Sequence, residues 1–65
     1  MTRQRTEILR ALQSTDAFLT AAELHSRLIA SGVTTGLATV YRSLDMLVDS
    51  GQVDAVRDEQ ITRYR

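Results

Sequence analysis

Apolar positions recur with a helical period over three stretches and then change rhythm. Ile8, Leu9 and Leu12 stand at i, i+1 and i+4, the stripe of a first helix. Thr2 is placed to cap it, and Ser14-Thr15-Asp16 to end it. Thr20-Ala21-Ala22-Glu23 has the form of a capping box, in which the Thr20 hydroxyl accepts from the third amide and the Glu23 carboxylate reaches back. Leu19 and Leu24 flank it at the spacing of a hydrophobic staple. Leu24, Leu28 and Ile29 make the stripe of this second helix, and Gly32 sits just past its end, where a left-handed terminator belongs.

The third stretch opens at Thr35 or Gly36 and closes at Gly51. At about 100° per residue, Leu37, Val40, Leu44, Leu47 and Val48 cluster on one side, with Tyr41 at the edge. Thr39, Arg42 and Met46 lie opposite, and Ala38 beside them. After Gly51 the pattern becomes short and β-branched. Residues 52–56 and 61–65 predict two strands, with Arg57-Asp58-Glu59-Gln60 as a four-residue connection that lacks Gly or Asn. The expected core is Ile8, Leu9, Leu12, Leu24, Leu28, Val40, Leu44, Leu47, Val53 and Ile61.

Helix, helix, short turn, helix and hairpin is the order of a winged helix-turn-helix. The fold class is therefore mainly α with a small antiparallel β-hairpin (α+β), one domain over residues 1–65. Composition narrows the function. The absence of cysteine excludes a disulfide framework and a thiolate metal site within the chain, and makes the cytoplasm the default compartment. The longest apolar run is three residues, too short for a bilayer span or a signal-peptide core. Catalysis is not expected. There is no second histidine, no Ser-His-acid set is justified by spacing, and the three glycines, at 32, 36 and 51, sit at helix ends rather than in a phosphate loop.

Eight arginines, with no lysine, balance eight acids, so there is no global basic field. The charge is uneven, however. Residues 1–15 carry Arg3, Arg5 and Arg10 against Glu7, a local +2. Arginine without lysine suits bidentate work on phosphate or guanine, and equally fits a codon bias. In a helix-turn-helix, the N-terminal half of the second of its helices enters the major groove. The side chains that can read bases there are Ala38, Thr39 and Arg42, with Tyr41 at the flank. Arg42 can donate twice to guanine, Ala38 and Thr39 can meet a thymine methyl, and Tyr41 can reach a phosphate.

These residues also carry a family resemblance. Gly36-Leu37-Ala38-Thr39-Val40-Tyr41-Arg42-Ser43-Leu44 resembles the recognition-helix signature of the ferric uptake regulator (Fur) family. Thr2-Arg3-Gln4-Arg5 before Ile8-Leu9, Thr20-Ala21-Ala22-Glu23-Leu24-His25, and Gly51-Gln52-Val53-Asp54 resemble that family's first helix, second helix and approach to the wing. The resemblance implies the DNA-binding domain of a metal-responsive repressor of metal-uptake genes, binding an AT-rich palindromic operator in double-stranded DNA. It implies Zn2+ or Fe2+ as cofactor and a homodimer in the complete protein, whose α/β dimerisation domain with His-rich and CxxC metal sites would follow the wing. The chain stops at the end of the wing. It is therefore expected to behave as an isolated domain or truncated product, monomeric and weakly bound to operator. Iron-sensing members often carry a His two residues before the second helix's cap, and here that position is Phe18. The zinc-sensing branch often has an Asp ligand where this chain has Asp54. Together these two positions lean toward a zinc uptake regulator.

Competing readings stand beside each candidate. Arg42 can pair with Asp45 or Asp49 on a solvated face. Arg3 and Arg5 are either terminal charges or contacts to phosphate or minor groove. Arg57 can touch phosphate, although Asp58 and Glu59 adjoin it and favour a solvated turn. His25 reads as a packed or capping residue beside Leu24 and Leu28. Asp54 on its own is a surface carboxylate. Zero net charge and an acidic wing tip favour an alternative function, a winged helix that docks another protein without reading DNA.

Overall fold

The computed structural model describes residues 3–65, so the cap expected at Thr2 lies outside the described residues. The first helix, α1 (Arg3–Gln13), turns Ile8 and Leu12 inward. It stops where the Ser14 hydroxyl donates to the Ala11 carbonyl at 2.6 Å, in competition with the helix ladder. A two-residue strand, β1 (Leu19–Thr20), leads directly into α2 (Ala21–Ala30). Both halves of the capping box form. Glu23 N–H donates to Thr20 Oγ1 at 3.1 Å, and Thr20 N–H to Glu23 Oε1 at 2.9 Å. At the far end Gly32 has φ +92°, and Val33 N–H returns to the Leu28 carbonyl at 2.9 Å.

The third helix, α3 (Leu37–Asp49), starts differently: Gly36 is its N-cap and supplies no side-chain bond. It closes as the sequence predicts, with Gly51 at φ +80° and Gln52 N–H on the Leu47 carbonyl at 3.0 Å. The chain then forms β2 (Ala55–Asp58) and β3 (Ile61–Tyr64). With β1 they make a three-stranded antiparallel sheet in the order β1-β3-β2. The central strand sets Tyr64 opposite both Leu19 and Ala55, and Arg63 opposite Thr20 and Val56.

The three helices pack on one another, and the sheet closes one end of the resulting core. Ile8, Leu12, Leu24, Leu28, Val40, Leu44, Leu47 and Val53 are buried, as the periodicity predicts. Leu19, Ala21 and Tyr64 join them, and so does the polar Ser43. Leu9 packs against this cluster from its edge, half-buried.

The hairpin corrects the sequence reading. Its connection is two residues, Glu59-Gln60, because Asp58 pairs with Ile61. Arg57 therefore belongs to β2, opposite Thr62, and not to the turn. Glu59 takes φ 57°, the left-handed region that the expected Gly or Asn would have occupied more easily. The core assignment of Ile61 fails on strand alternation. Alternate strand residues face opposite sides, and Tyr64 holds the inner face, so Ile61 and Arg63 take the outer one. Ile61 is accordingly 45% exposed. Leu37 and Ile29, read as part of helical stripes, are also exposed. Leu37 sits at the first position of α3, ahead of the core, and Ile29 lies about 100° around the helix from the buried Leu28.

Candidate nucleic-acid interface

α2, the turn through Gly32–Gly36 and α3 form the helix-turn-helix. One side of α3 is committed to the core through Val40, Ser43, Leu44 and Leu47. Packing on that side holds the helix by burial, and leaves the other side free to present polar groups. Ala38, Arg42 and Met46 are exposed there, and Tyr41 is 47% exposed at the flank. Thr39 is half-buried, so it offers less of its side chain than the wheel suggested.

Arg42 makes no ion pair with Asp45 or Asp49 among the described residues. The competing reading of a solvated, paired arginine is therefore not what the helix shows. Asp45 acts elsewhere. Burial, and then the negative charge of Asp45 and the neighbouring Tyr41, push the Tyr64 hydroxyl above its ordinary value.

The two N-terminal arginines separate. The Arg3 side chain is almost fully exposed, with its Nε 3.8 Å from Glu7 Oε1 one turn along α1. A contact of that length at the surface contributes little. Arg5 is half-buried, and its Nε is buried with no hydrogen-bond partner. Arg57 is exposed on β2, one of the two edge strands of the sheet, beside Asp58. An open groove of about 560 Å³ between α1 and α2 is lined by residues such as Arg10, Ala11, Arg27, Leu28 and Val33. No residue of α3 lines it. The candidate surface is thus a projecting helix, the shape that enters a groove, and not a pocket.

Asp54 is exposed. Its backbone pairs with Arg65 in both directions, at 3.0 Å each way. The Arg65 guanidinium lies 5.6 Å above the centre of the Phe18 ring, a cation–π contact. Phe18 and Asp54, noted separately in the sequence, therefore meet at one end of the sheet through Arg65. No group of three or more His, Asp or Glu side chains converges among the described residues. A zinc site needs three or four ligands, so the residues present do not make one, and no metal chemistry follows from Asp54 alone.

His25 is half-buried on α2, and its Nε2 lies 2.8 Å from the Thr35 carbonyl. A carbonyl only accepts, so Nε2 carries the proton. Sequence reasoning treated this side chain as packing or capping. The contact spans ten residues and two elements, and no local spacing signals it. The Phe18–Arg65 stack was equally silent, since it depends on where β3 ends.

With this geometry in view, the comparisons are direct. The Ferric uptake regulator family matches residues 1–65, and the chain belongs to that family, as its N-terminal DNA-binding domain. It is not an enzyme. The chain is similar to the zinc uptake regulation protein of Mycobacterium tuberculosis (strain H37Rv), 43% identical over 58 residues, which is 89% of this chain and 45% of that protein. Among solved structures it resembles FurB of M. tuberculosis, a zinc uptake regulator, with TM-score 0.89 and 42% identity over 97% of this chain and 50% of that one. It also resembles the Vibrio cholerae ferric uptake regulator, with TM-score 0.93 and 36% identity over 100% of this chain and 51% of that one. The chain spans about half the length of the relatives it matches.

Proposed function

We propose that the chain reads duplex DNA with α3 as the DNA-binding half of a zinc-responsive repressor of metal-uptake genes. The observation that carries this is Arg42, exposed and without an ion-pair partner among the described residues, on the free side of a helix whose other side is locked into the core. Arg42 donates to guanine, Ala38 and Thr39 meet thymine methyls, and Tyr41 touches the flanking phosphate. Arg3, Arg5 and Arg57 contribute backbone contacts that orient the domain without reading sequence.

Zinc is preferred over iron on two grounds. Two of the similar proteins are named as zinc uptake regulators. Phe18 offers no ligand and is engaged by Arg65, whereas Asp54 is exposed and free to join ligands supplied from beyond these residues. Zn2+ or Fe2+ in the complete protein would fix two such domains on an AT-rich palindrome as a homodimer in the cytoplasm. The domain alone is monomeric and binds weakly, at about 10⁻⁴–10⁻⁶ M away from its site. Two linked copies gain by effective concentration.

The test is a titration of the chain against an AT-rich palindromic duplex and a scrambled control. Preference for the palindrome is expected. Arg42→Glu should cost about 100-fold or more in affinity, since a bidentate guanine contact is lost and a phosphate-repelling charge is gained. Circular dichroism should be unchanged. Retained affinity with the same base preference would remove α3 as the reader. A protein-docking reading finds support in Val56 and Ile61, both exposed on the outer face of the sheet. It predicts that the same substitution leaves function intact.

A further inference from the structure

We propose that His25 is the positioning residue of the recognition helix: from the middle of α2 it holds the backbone just ahead of α3, and so fixes how Ala38, Thr39 and Arg42 are presented. The inference rests on the reading of α3 as the DNA reader.

The start of α3 has few other restraints. Gly36 caps it without a side-chain bond. Leu37, the first apolar residue of the helix, is 39% exposed, so Val40 is the first side chain that anchors it in the core. The turn is fastened behind by Val33 N–H on the Leu28 carbonyl, and ahead by Val40 N–H on the Gly36 carbonyl. Between those two bonds no backbone–backbone hydrogen bond holds Thr34 or Thr35 among the described residues. The Thr35 hydroxyl is buried and has no hydrogen-bond partner among the described residues. The bond from His25 Nε2 to the Thr35 carbonyl is the polar restraint that remains.

It is well placed for the task. α2 is the element with the complete capping box and with Leu24 and Leu28 fully in the core, so the ring is borne on a rigid support. The imidazole donates from Nε2 to the Thr35 carbonyl, and His25 acts as a brace between α2 and the start of α3.

The experiment compares the full chain with His25→Phe, which keeps the ring and removes the donor, and His25→Gln, whose side-chain amide can donate from a similar reach. Affinities for the AT-rich palindrome and the scrambled duplex are measured, with melting temperature and backbone amide NMR of residues 33–42 in the absence of DNA. His25→Phe should shift the Thr34–Thr39 amides and weaken palindrome binding about five- to tenfold, the worth of one neutral hydrogen bond, with little change for the scrambled duplex. His25→Gln should restore most of the loss. Wild-type affinity and unshifted amides in His25→Phe would overturn the proposal. Should that variant fail to fold, His25→Asn, polar but too short to reach, takes its place, and equal binding by the Asn and Gln variants would overturn it. If the wild-type chain shows no palindrome preference, the DNA reading fails separately, and the amide shifts alone decide whether His25 holds the turn.

Discussion

The beginnings of α2 and α3 differ in how they meet their unpaired amides. Every helix leaves its first N–H groups without an internal partner. At α2 the Thr20 hydroxyl and the Glu23 carboxylate answer this reciprocally, within four residues of sequence. At α3 Gly36 answers nothing by side chain, and the segment before it is held from a distance by His25. The helix that bears load closes its own end, while the helix proposed to meet DNA leaves its end open, where a phosphate can meet the free amides and the positive pole of the helix dipole. A self-contained cap would put oxygen atoms where a polyanion must approach.

The largest test of that contrast removes the cap that exists. Thr20→Ala should cost about 1 kcal/mol, a drop of roughly 4–8 °C in melting temperature for a chain of this size, read by calorimetry. A loss near zero would mean that packing of Leu24 and Leu28 alone sustains α2. The acid limb comes next. The Thr20 amide, followed by the Thr20 hydroxyl and the charges of Arg63 and Arg27, holds the Glu23 carboxyl below its ordinary 4.5. The carboxylate form therefore stabilises the fold at neutral pH, and that contribution fades as pH falls from 4.5 through the lowered folded value. Denaturant midpoints measured across this range should fall less steeply in Glu23→Gln. The smallest effect on stability comes from supplying the missing cap. Gly36 has φ −89° and ψ 156°, and a Cβ there meets nothing within 4 Å. Gly36→Ser and Gly36→Asp should each add a few tenths of a kcal/mol. Only the Asp variant should lose duplex affinity appreciably, because its charge faces phosphate. Equal DNA binding by both would break the contrast.

How much could be read in the sequence follows the same division between local and distant causes. The capping box, the left-handed Gly32, the close of α3 at Gly51 and the burial of Leu24, Leu28, Val40, Leu44 and Leu47 are settled within a few residues and stand as predicted, whereas Ile29 and Leu37 of the same stripes are exposed. β1 was invisible because two residues carry no period, and Leu19–Thr20 is a strand only by virtue of its partner, Tyr64–Arg63. Leu19 was noticed as a staple, yet its burial beneath β3 depends on the sheet. The wing failed through parity. Placing the connection at 57–60 instead of 59–60 moved Arg57 out of its strand, and Ile61, an odd number of residues from the buried Tyr64, lies on the face opposite the core. On the candidate interface, the exposure of Ala38, Tyr41 and Arg42 was legible from the helical wheel. The brace from His25 was not, since it joins residues ten apart across a turn.

Thr20 occupies two trades at once. It is the second residue of β1, opposite Arg63, and it is the cap of α2. No spacer separates sheet from helix, so the joint has no slack. One rung of the ladder ties β3 to Thr20, Thr20 opens α2, and the His25 bond ties α2 to the threshold of α3. Wing and third helix are thus joined by directly bonded links, with no intervening loop at Thr20.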